Sequence, residues 1–424
     1  MADDDDPIKE IVIASGATRF EYVVDLGNDP ETGKRRQHRR RFPTRPEAVK
    51  AYGKLMQELE DETYIMPNDI ELTPFLARYE RHAIRSVEKG TAANIKYALK
   101  AVNRWVETRT ERRVQKLRQR DIEDFVDWML TKGRVRGGPT GTGLSARTTN
   151  LSLVYLIAAL NWAIDEDLVR KNVALRVEIP RWARTAQKVA RREKKAKIYN
   201  PKQVQIFLAK NTHSRLDSTA RLALMGLRPA ENCGVRWEED IDWGSFAEFC
   251  DEHLKRWCRD CYGADDDYRL ATIDVGNTRT LVDGEIEEKD AKSEMGNRTL
   301  PMPAFVVFPL RDFYLRQQKE RLKAGEAYEY SGYVLVDALG RPYTPAQLRD
   351  EIYVMMDHAG LHRTVLYNCR HVCLTFLAMN GAAASVIAKW AGHADGGELA
   401  MRVYIEPDDT DMVKASKVLG RMFA

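Results

Sequence analysis

Arg370, His393 and Tyr404 stand close together near the end of the chain, in the segments YNCRH (367–371), WAGHADG (390–396) and MRVYIEP (401–407); MGLRPAE (225–231) adds Arg228 from far upstream. These side-chain types suit attack on a phosphodiester. The pentavalent transition state gathers negative charge on its non-bridging oxygens. Arginine stabilises that charge well, because its planar fork holds two oxygens and stays protonated. A lysine or histidine can protonate the departing 5′ oxygen. A tyrosine can attack phosphorus and conserve the bond energy as a phosphotyrosine, so neither ATP nor a metal is required.

Such a set needs a scaffold that brings distant segments together. At 424 residues the chain is long enough for two to four domains, and 44% hydrophobic content supplies their cores. The net charge is only +4, but it is polarised: Asp3 to Asp6 open the chain, while basic residues cluster at 34–41 and 181–197. Clustered basic charge on a balanced chain points to nucleic acid. There is no 18-residue apolar run, which argues against a membrane span. The N-terminus lacks the parts of a signal peptide, and six cysteines without export fit a reducing cytoplasm.

Residues 1–64 read as a small α+β module. Phe20, Tyr22, Val24 and Leu26 alternate as in a half-buried strand, and GNDPETG (27–33) is a turn signal. A second strand over 34–42 carries Lys34, Arg35, Arg36, Arg39, Arg40 and Arg41; a sheet strand so charged is a known way to enter a DNA groove. Thr44 and Glu47 predict a capping box opening a helix to about Glu62. Residues 65–180 read as a helical bundle. Its first helix is predicted to start at Thr73 with Pro74 behind it, and Ile95, Leu99, Val102 and Val106 form one stripe. The glycine-rich stretch 133–143 predicts a mobile loop. Residues 181–198 read as a basic interdomain linker laid against phosphates, through Arg181, Arg184, Lys188, Arg191, Arg192, Lys194 and Lys195. Residues 199–424 form the largest region, with helices from Pro201, from Leu222, and over 304–322, 344–359, 370–380 and 383–391. Strands are predicted at 268–275 and 297–303. The expected fold class is mainly α with small β-sheets, that is, α+β.

GLRPAE (226–231) followed by VRWEEDIDW (235–243), NRTLPMP (297–303), and RHVCLTFLAMNGAAASVIAKWAGHADGGELAMRVY (370–404) together resemble the motifs of the tyrosine recombinase, or phage integrase, family. The resemblance covers essentially the whole chain. It implies an arm-type DNA-binding domain at 1–64, a SAM-like core-binding helical domain at 65–180 and a catalytic domain at 199–424. By that resemblance Arg228 and Arg370 clamp the scissile phosphate. Lys292, with Lys289 as the weaker candidate, is the general acid. His393 hydrogen-bonds a phosphate oxygen, and Tyr404 is the nucleophile. Glu231 and Asp240 are structural. The implied activity is integration, and in some settings excision, of a mobile element such as a prophage. It runs through a 3′-phosphotyrosine and a Holliday junction, on a tetramer bound to core and arm attachment sites of double-stranded DNA. A host DNA-bending factor and an excision factor are implied as partners, no catalytic cofactor is implied, and the tail 411–424 is expected to dock on a neighbouring subunit. A type IB topoisomerase-like enzyme and a catalytically silent DNA-binding regulator are the alternatives.

Two features depart from the family pattern. Tyr367, in the catalytic set by the resemblance, stands where most members have a histidine. A phenol can hydrogen-bond a phosphate oxygen but is a poor base near neutral pH, so His371 or His393 is expected to share the deprotonation of Tyr404. The spacing from Arg228 to Lys292 is also long, through an insertion at about 244–267. There Cys250, His253, Cys258 and Cys261 form a C-x2-H-x4-C-x2-C pattern compatible with a structural zinc. The same positions, with Leu254 and Trp257, also fit one face of a helix, so both readings stand.

Overall fold

A computed structural model describes residues 6–28, 33, 35–61, 63–195, 198–264, 267–290, 296–393 and 396–398. It falls into two compact units, 1–187 and 188–424.

The first unit begins with strands β1 (Ile8–Val12), β2 (Thr18–Asn28) and β3 (Arg35–Phe42), an antiparallel sheet in the order β1-β2-β3. Register pairs Tyr22 with Ile8 on one side and Arg40 on the other. The alternation of β2 turns Tyr22 inward, where it joins Ile8 and, from helix α1 (Arg45–Glu60), Ala48 and Leu55 in a small core. β3 is the outer strand, and Arg35, Arg39, Arg40 and Arg41 are exposed on it. The predicted capping box does not form. Thr44 is the N-cap residue but makes no side-chain cap bond, and Pro46, in the first turn, removes one N–H that a cap would serve.

Four helices then pack into a bundle: α2 (Leu72–Ala83), α3 (Lys89–Glu107), α4 (Gln119–Thr131) and α5 (Ala146–Asp165). The α3 stripe is buried as its spacing requires, with Leu99 and Val102 fully enclosed beside Leu76, Phe125 and Leu156. Glu71, not Thr73, is the N-cap of α2. The helix starts earlier because the amide of Leu72 finds the Arg112 carbonyl at 2.7 Å while its side chain enters the core. The glycine-rich loop predicted to be mobile is cross-tied by Arg134, which donates to the Gly137 carbonyl (2.9 Å) and to that of Gly143 (2.7 Å).

The basic stretch read as a linker is helical: α6 runs Arg181–Lys195, across the boundary between the two units. Alanine, arginine and lysine are strong helix formers, and Ala183 anchors the first turn in the bundle core. Arg181, Arg184 and Lys188 face solvent. The side chains of Arg191, Arg192, Lys194 and Lys195, like Lys34, lie outside the described set.

The second unit opens with α7 (Pro201–Lys210), α8 (Asp217–Leu224), α9 (Pro229–Gly234) and α10 (Trp237–Asp240). α8 begins before the predicted Leu222; Asp217 and Arg221, one turn apart, form a buried ion pair that extends it backwards. β4 (Ile241–Asp242) leads into the insertion, which holds the small hairpin β5 (Phe249–Cys250) and β6 (Lys255–Arg256). β7 (Thr272–Val275) is shorter than predicted. It is followed by the hairpin β8 (Asn277–Val282) and β9 (Glu285–Asp290), turned at Asp283 and Gly284, both with positive φ (51° and 88°). β10 (Arg298–Pro301) completes an antiparallel sheet in the order β10-β7-β4. Four helices close the unit: α11 (Ala304–Ala324), α12 (Pro345–His358), α13 (Tyr367–Met379) and α14 (Ala384–Ala391). No helix among the described residues is long and apolar enough to cross a membrane.

Candidate active site

Three chain segments meet where α9, α13 and α14 converge. Gly226 makes the first turn possible. Its φ is +111°, and a Cβ there would lie 3.3 Å from Cys373 Sγ and 3.4 Å from Trp390 Nε1. The turn is locked by the Met225 carbonyl, which accepts from Trp390 Nε1 (2.8 Å) and Cys373 Sγ (3.1 Å). Arg228 follows as the N-cap residue of α9, and Pro229 begins that helix.

α13 carries Arg370 into the interior, where the side chain is fully buried. Burial, then the nearby positive charge of Arg228, lowers its pKa from the usual arginine value. The guanidinium donates to the Gly226 carbonyl at 2.7 Å and to the Ala391 carbonyl. Arg228 donates to the next carbonyl along, that of Gly392, at 3.4 Å. Gly392 ends α14 with a left-handed φ of 62°, and the His393 amide reaches back to the Ala388 carbonyl at 3.0 Å. That termination sets His393 beside Arg370, with Nε2 3.3 Å from the guanidinium. A guanidinium only donates, so Nε2 accepts and the proton of the neutral ring is assigned to Nδ1. The sequence-predicted Arg228, Arg370 and His393 are thus brought together around one turn of chain.

The turn carries surplus positive charge. Glu231 accepts from the Arg228 amide (2.7 Å) and from its guanidinium. Arg298, from β10, donates to both Glu231 oxygens at 3.2 and 3.0 Å. Burial opposes the Glu231 charge, but Arg298 and then Arg228 outweigh it and hold the carboxyl below its usual range. Two guanidinium groups therefore share one carboxylate, Arg370 lies beside them, and Arg370 Nε has no partner among the described residues. Unneutralised buried cations with a spare donor suit an anion. Arg298 is not singled out by sequence reasoning. A signal is present all the same, since Arg298 alternates with the buried Leu300 and so points to the same face of β10.

Tyr367 opens α13, is 40% exposed, and packs edge-on against His371 with ring centroids 5.1 Å apart. Its phenol lies near enough to Arg370 to act on that group electrostatically. Lys289 lies on β9 opposite Thr278, with Nζ 3.4 Å from Glu287. Its hairpin is pressed against α9, where a Cβ on Gly234 would come within 2.7 Å of the Asn277 carbonyl oxygen. Lys292, Tyr404 and the tail 411–424 lie outside the described residues. Asp240 has the structural role predicted for it, accepting the Arg236 amide at 2.8 Å.

No helix forms over the cysteine-rich positions 250–261. Leu254 and Trp257 have positive φ (49° and 59°), which breaks the helical reading and folds the chain into a knuckle. The Cys250, His253, Cys258 and Cys261 ligand atoms all lie within 4.8 Å of one another. His253 Nδ1 is 3.5, 3.4 and 3.4 Å from the three sulfurs, and Cys250 and Cys261 are 3.7 Å apart. A tetrahedron built on Zn–S bonds of about 2.3 Å and a Zn–N bond of about 2.0 Å has edges of roughly 3.5–3.8 Å, so the quartet is compatible with a structural zinc.

No protein-family model matches the chain. It is 24% identical over 257 residues to a tyrosine recombinase XerC-like protein of Caldanaerobacter subterraneus subsp. tengcongensis, covering 60% of this chain and 61% of that one. It is 23% identical over 386 residues to an integrase of Streptomyces ambofaciens, covering 89% and 86%. The chain is thus similar in sequence to a tyrosine recombinase and to an integrase. In fold it is similar to the Tn1549 transposon integrase in complex with transposon right-end DNA, with a TM-score of 0.58 at 18% identity over 83% of this chain and 100% of that one. The lambda integrase tetramer bound to a Holliday junction gives a TM-score of 0.51 at 15% identity, over 96% and 98%.

Proposed function

We propose that this chain is a site-specific DNA recombinase that integrates a mobile element. The observation that carries the reading is the convergence of Arg228, Arg370 and His393 on consecutive carbonyls of one turn, with a net positive charge that a phosphate would neutralise. Arg228 and Arg370 bind the non-bridging oxygens of the scissile phosphate, and His393 donates to one of them. The Tyr404 oxygen gives up its phenolic proton to His371 or His393, attacks phosphorus and forms a 3′-phosphotyrosine as the bond from phosphorus to the 5′ oxygen breaks. Lys292 supplies the proton that this oxygen needs to leave as a hydroxyl. Attack by a 5′ hydroxyl from the partner strand reverses the step, so the bond count is conserved and strands are exchanged. Tyr367, in the position where a histidine is usual, contributes packing against His371 and no base.

Four subunits act on two DNA sites and pass through a Holliday junction, as in the assembly of the lambda relative. Within each chain, 1–64 binds arm sites through β3, 65–180 and the basic α6 grip the core site, and 199–424 cuts. The test is a core-site duplex nicked beside the cleavage point, which traps the covalent product. The protein is expected to form an adduct stable to denaturant, and Tyr404→Phe to form none. An adduct with Tyr404→Phe, or none with the unaltered protein, overturns the assignment.

The Cys250, His253, Cys258 and Cys261 quartet holds one structural zinc. The near-tetrahedral spacing of its ligand atoms supports this. After extensive dialysis about one equivalent of zinc is expected, and less than about 0.2 equivalents would refute the site.

A further inference from the structure

Arg298 has no role in the chemistry described so far, yet it is the most densely bonded side chain of the site. Its side chain is 3% exposed. Nε donates to the Trp390 carbonyl at 2.7 Å, Nη1 to Glu231 Oε1 (3.2 Å) and to the Gly296 carbonyl (3.1 Å), and Nη2 to Glu231 Oε2 (3.0 Å). Four of the five N–H donors of a guanidinium are then engaged. So buried and so committed a group is not a substrate contact.

Its carboxylate partner explains what it does. Glu231 is also the partner of Arg228, through both the amide and the guanidinium. A carboxylate facing Arg228 alone would take up that charge in a tight pair and compete with a phosphate for the same fork. With Arg298 on both of its oxygens, Glu231 is already neutralised. It can then hold Arg228 in position without consuming its charge. The bond to the Trp390 carbonyl fixes, at the same time, the end of α14 that presents Gly392 and His393.

We propose that Arg298 is a positioning residue for phosphate binding: it compensates the charge of Glu231, so that Arg228 is oriented by that carboxylate yet remains available to the scissile phosphate. The inference rests on the recombinase reading above, and the experiment separates the two. Single-turnover adduct formation on the nicked substrate is measured alongside DNA affinity, with the unaltered protein as reference. Absence of adduct with the unaltered protein removes the recombinase reading itself. If the adduct forms, Arg298→Gln is expected to slow it about 100-fold, the scale of a misplaced catalytic group, while DNA affinity changes by less than about 3-fold.

The decisive arm is the double variant. Removing the carboxylate charge as well, in Arg298→Gln/Glu231→Gln, is expected to recover about 10-fold of that loss, because Arg228 is released from an uncompensated partner. A packing role predicts the opposite, two defects that accumulate. Arg298→Lys keeps the charge and is the variant least prone to misfolding. One ammonium cannot hold both Glu231 oxygens and the Trp390 carbonyl together, so a loss of about 5-fold or more is expected. Cleavage by Arg298→Lys or Arg298→Gln at the unaltered rate overturns the inference, as does a double variant no faster than Arg298→Gln.

Discussion

Two groups of arginines carry the phosphate contacts proposed for this protein, and they are built in opposite ways. In the second unit, Arg370 is fully buried and bonded to the Gly226 and Ala391 carbonyls and to His393, and Arg298, nearly as buried, supports the set through Glu231 without itself meeting a phosphate. On β3 of the first unit, Arg35, Arg39 and Arg41 keep 66%, 56% and 50% of their side-chain surface and, among the described residues, pair with Asp25 and Glu21. Surface pairs of this kind contribute about 0–1 kcal/mol and dissolve in salt. On the proposed function, the buried set serves one phosphate in one geometry. The exposed set is organised for any phosphate that passes, and its strength lies in number.

The contrast is open to direct challenge, and the largest effect is expected at Arg370. Arg370→Ala removes a phosphate donor and strands the Gly226 and Ala391 carbonyls, so adduct formation should fall by about 100- to 1,000-fold. Stability should fall by roughly 1–3 kcal/mol per stranded group, read from thermal melting. A variant that melts normally and still cleaves would end the distinction between the two groups. Next comes the cysteine and histidine quartet, another fixed polar cluster. Cys258→Ser should lose the zinc and cost the second unit roughly 3–5 kcal/mol, measured by denaturant titration with and without added zinc. Metal-independent stability would count against the site.

The β3 arginines should behave differently. Arg39→Ala or Arg41→Ala is expected to leave core-site cleavage within about 2-fold while weakening arm-site binding. Each change should also lower the salt slope of binding by about 1. A loss of core cleavage would show that β3 is part of the cutting machinery. The smallest effect concerns pH. The folded-state pKa of Glu231 lies below the ordinary 4.5, so its contribution is complete above that pH and is lost as pH falls through the lowered value. Acid melts between about pH 5 and 3 should show this loss, and Glu231→Gln should flatten it. Asp25 also titrates low because of Arg35, but it lies on the surface, so Asp25→Asn should leave the acid melt unchanged.

Much of this contrast is legible in the amino-acid sequence. The motifs around Arg228, Arg370 and His393 mark the residues that the structure brings together. The α3 stripe forecasts its buried face because apolar spacing of three and four has one outcome in a bundle. What is not legible depends on partners distant in sequence. Arg298 reads as an ordinary strand residue until Glu231 is seen beneath it. Positions 250 to 261 fit a helix by spacing alone, and only the left-handed residues Leu254 and Trp257 exclude it. The start of α2 departs from the expected Thr73 because the amide of Leu72 is satisfied by Arg112, far along the chain. Local propensity cannot report a bond whose other end is elsewhere.

The same remoteness governs how the protein comes to life. The bonds that define the site join residues 67, 92, 144 and 164 positions apart. Each closes a long loop, so none is favourable until much of the second unit has already collapsed. A nascent or partly refolded chain therefore holds its arginines but not the clamp proposed for them. In refolding, DNA-cutting competence should appear only with the last kinetic phase, after the helical signal has recovered. The chain is harmless to DNA until it is whole.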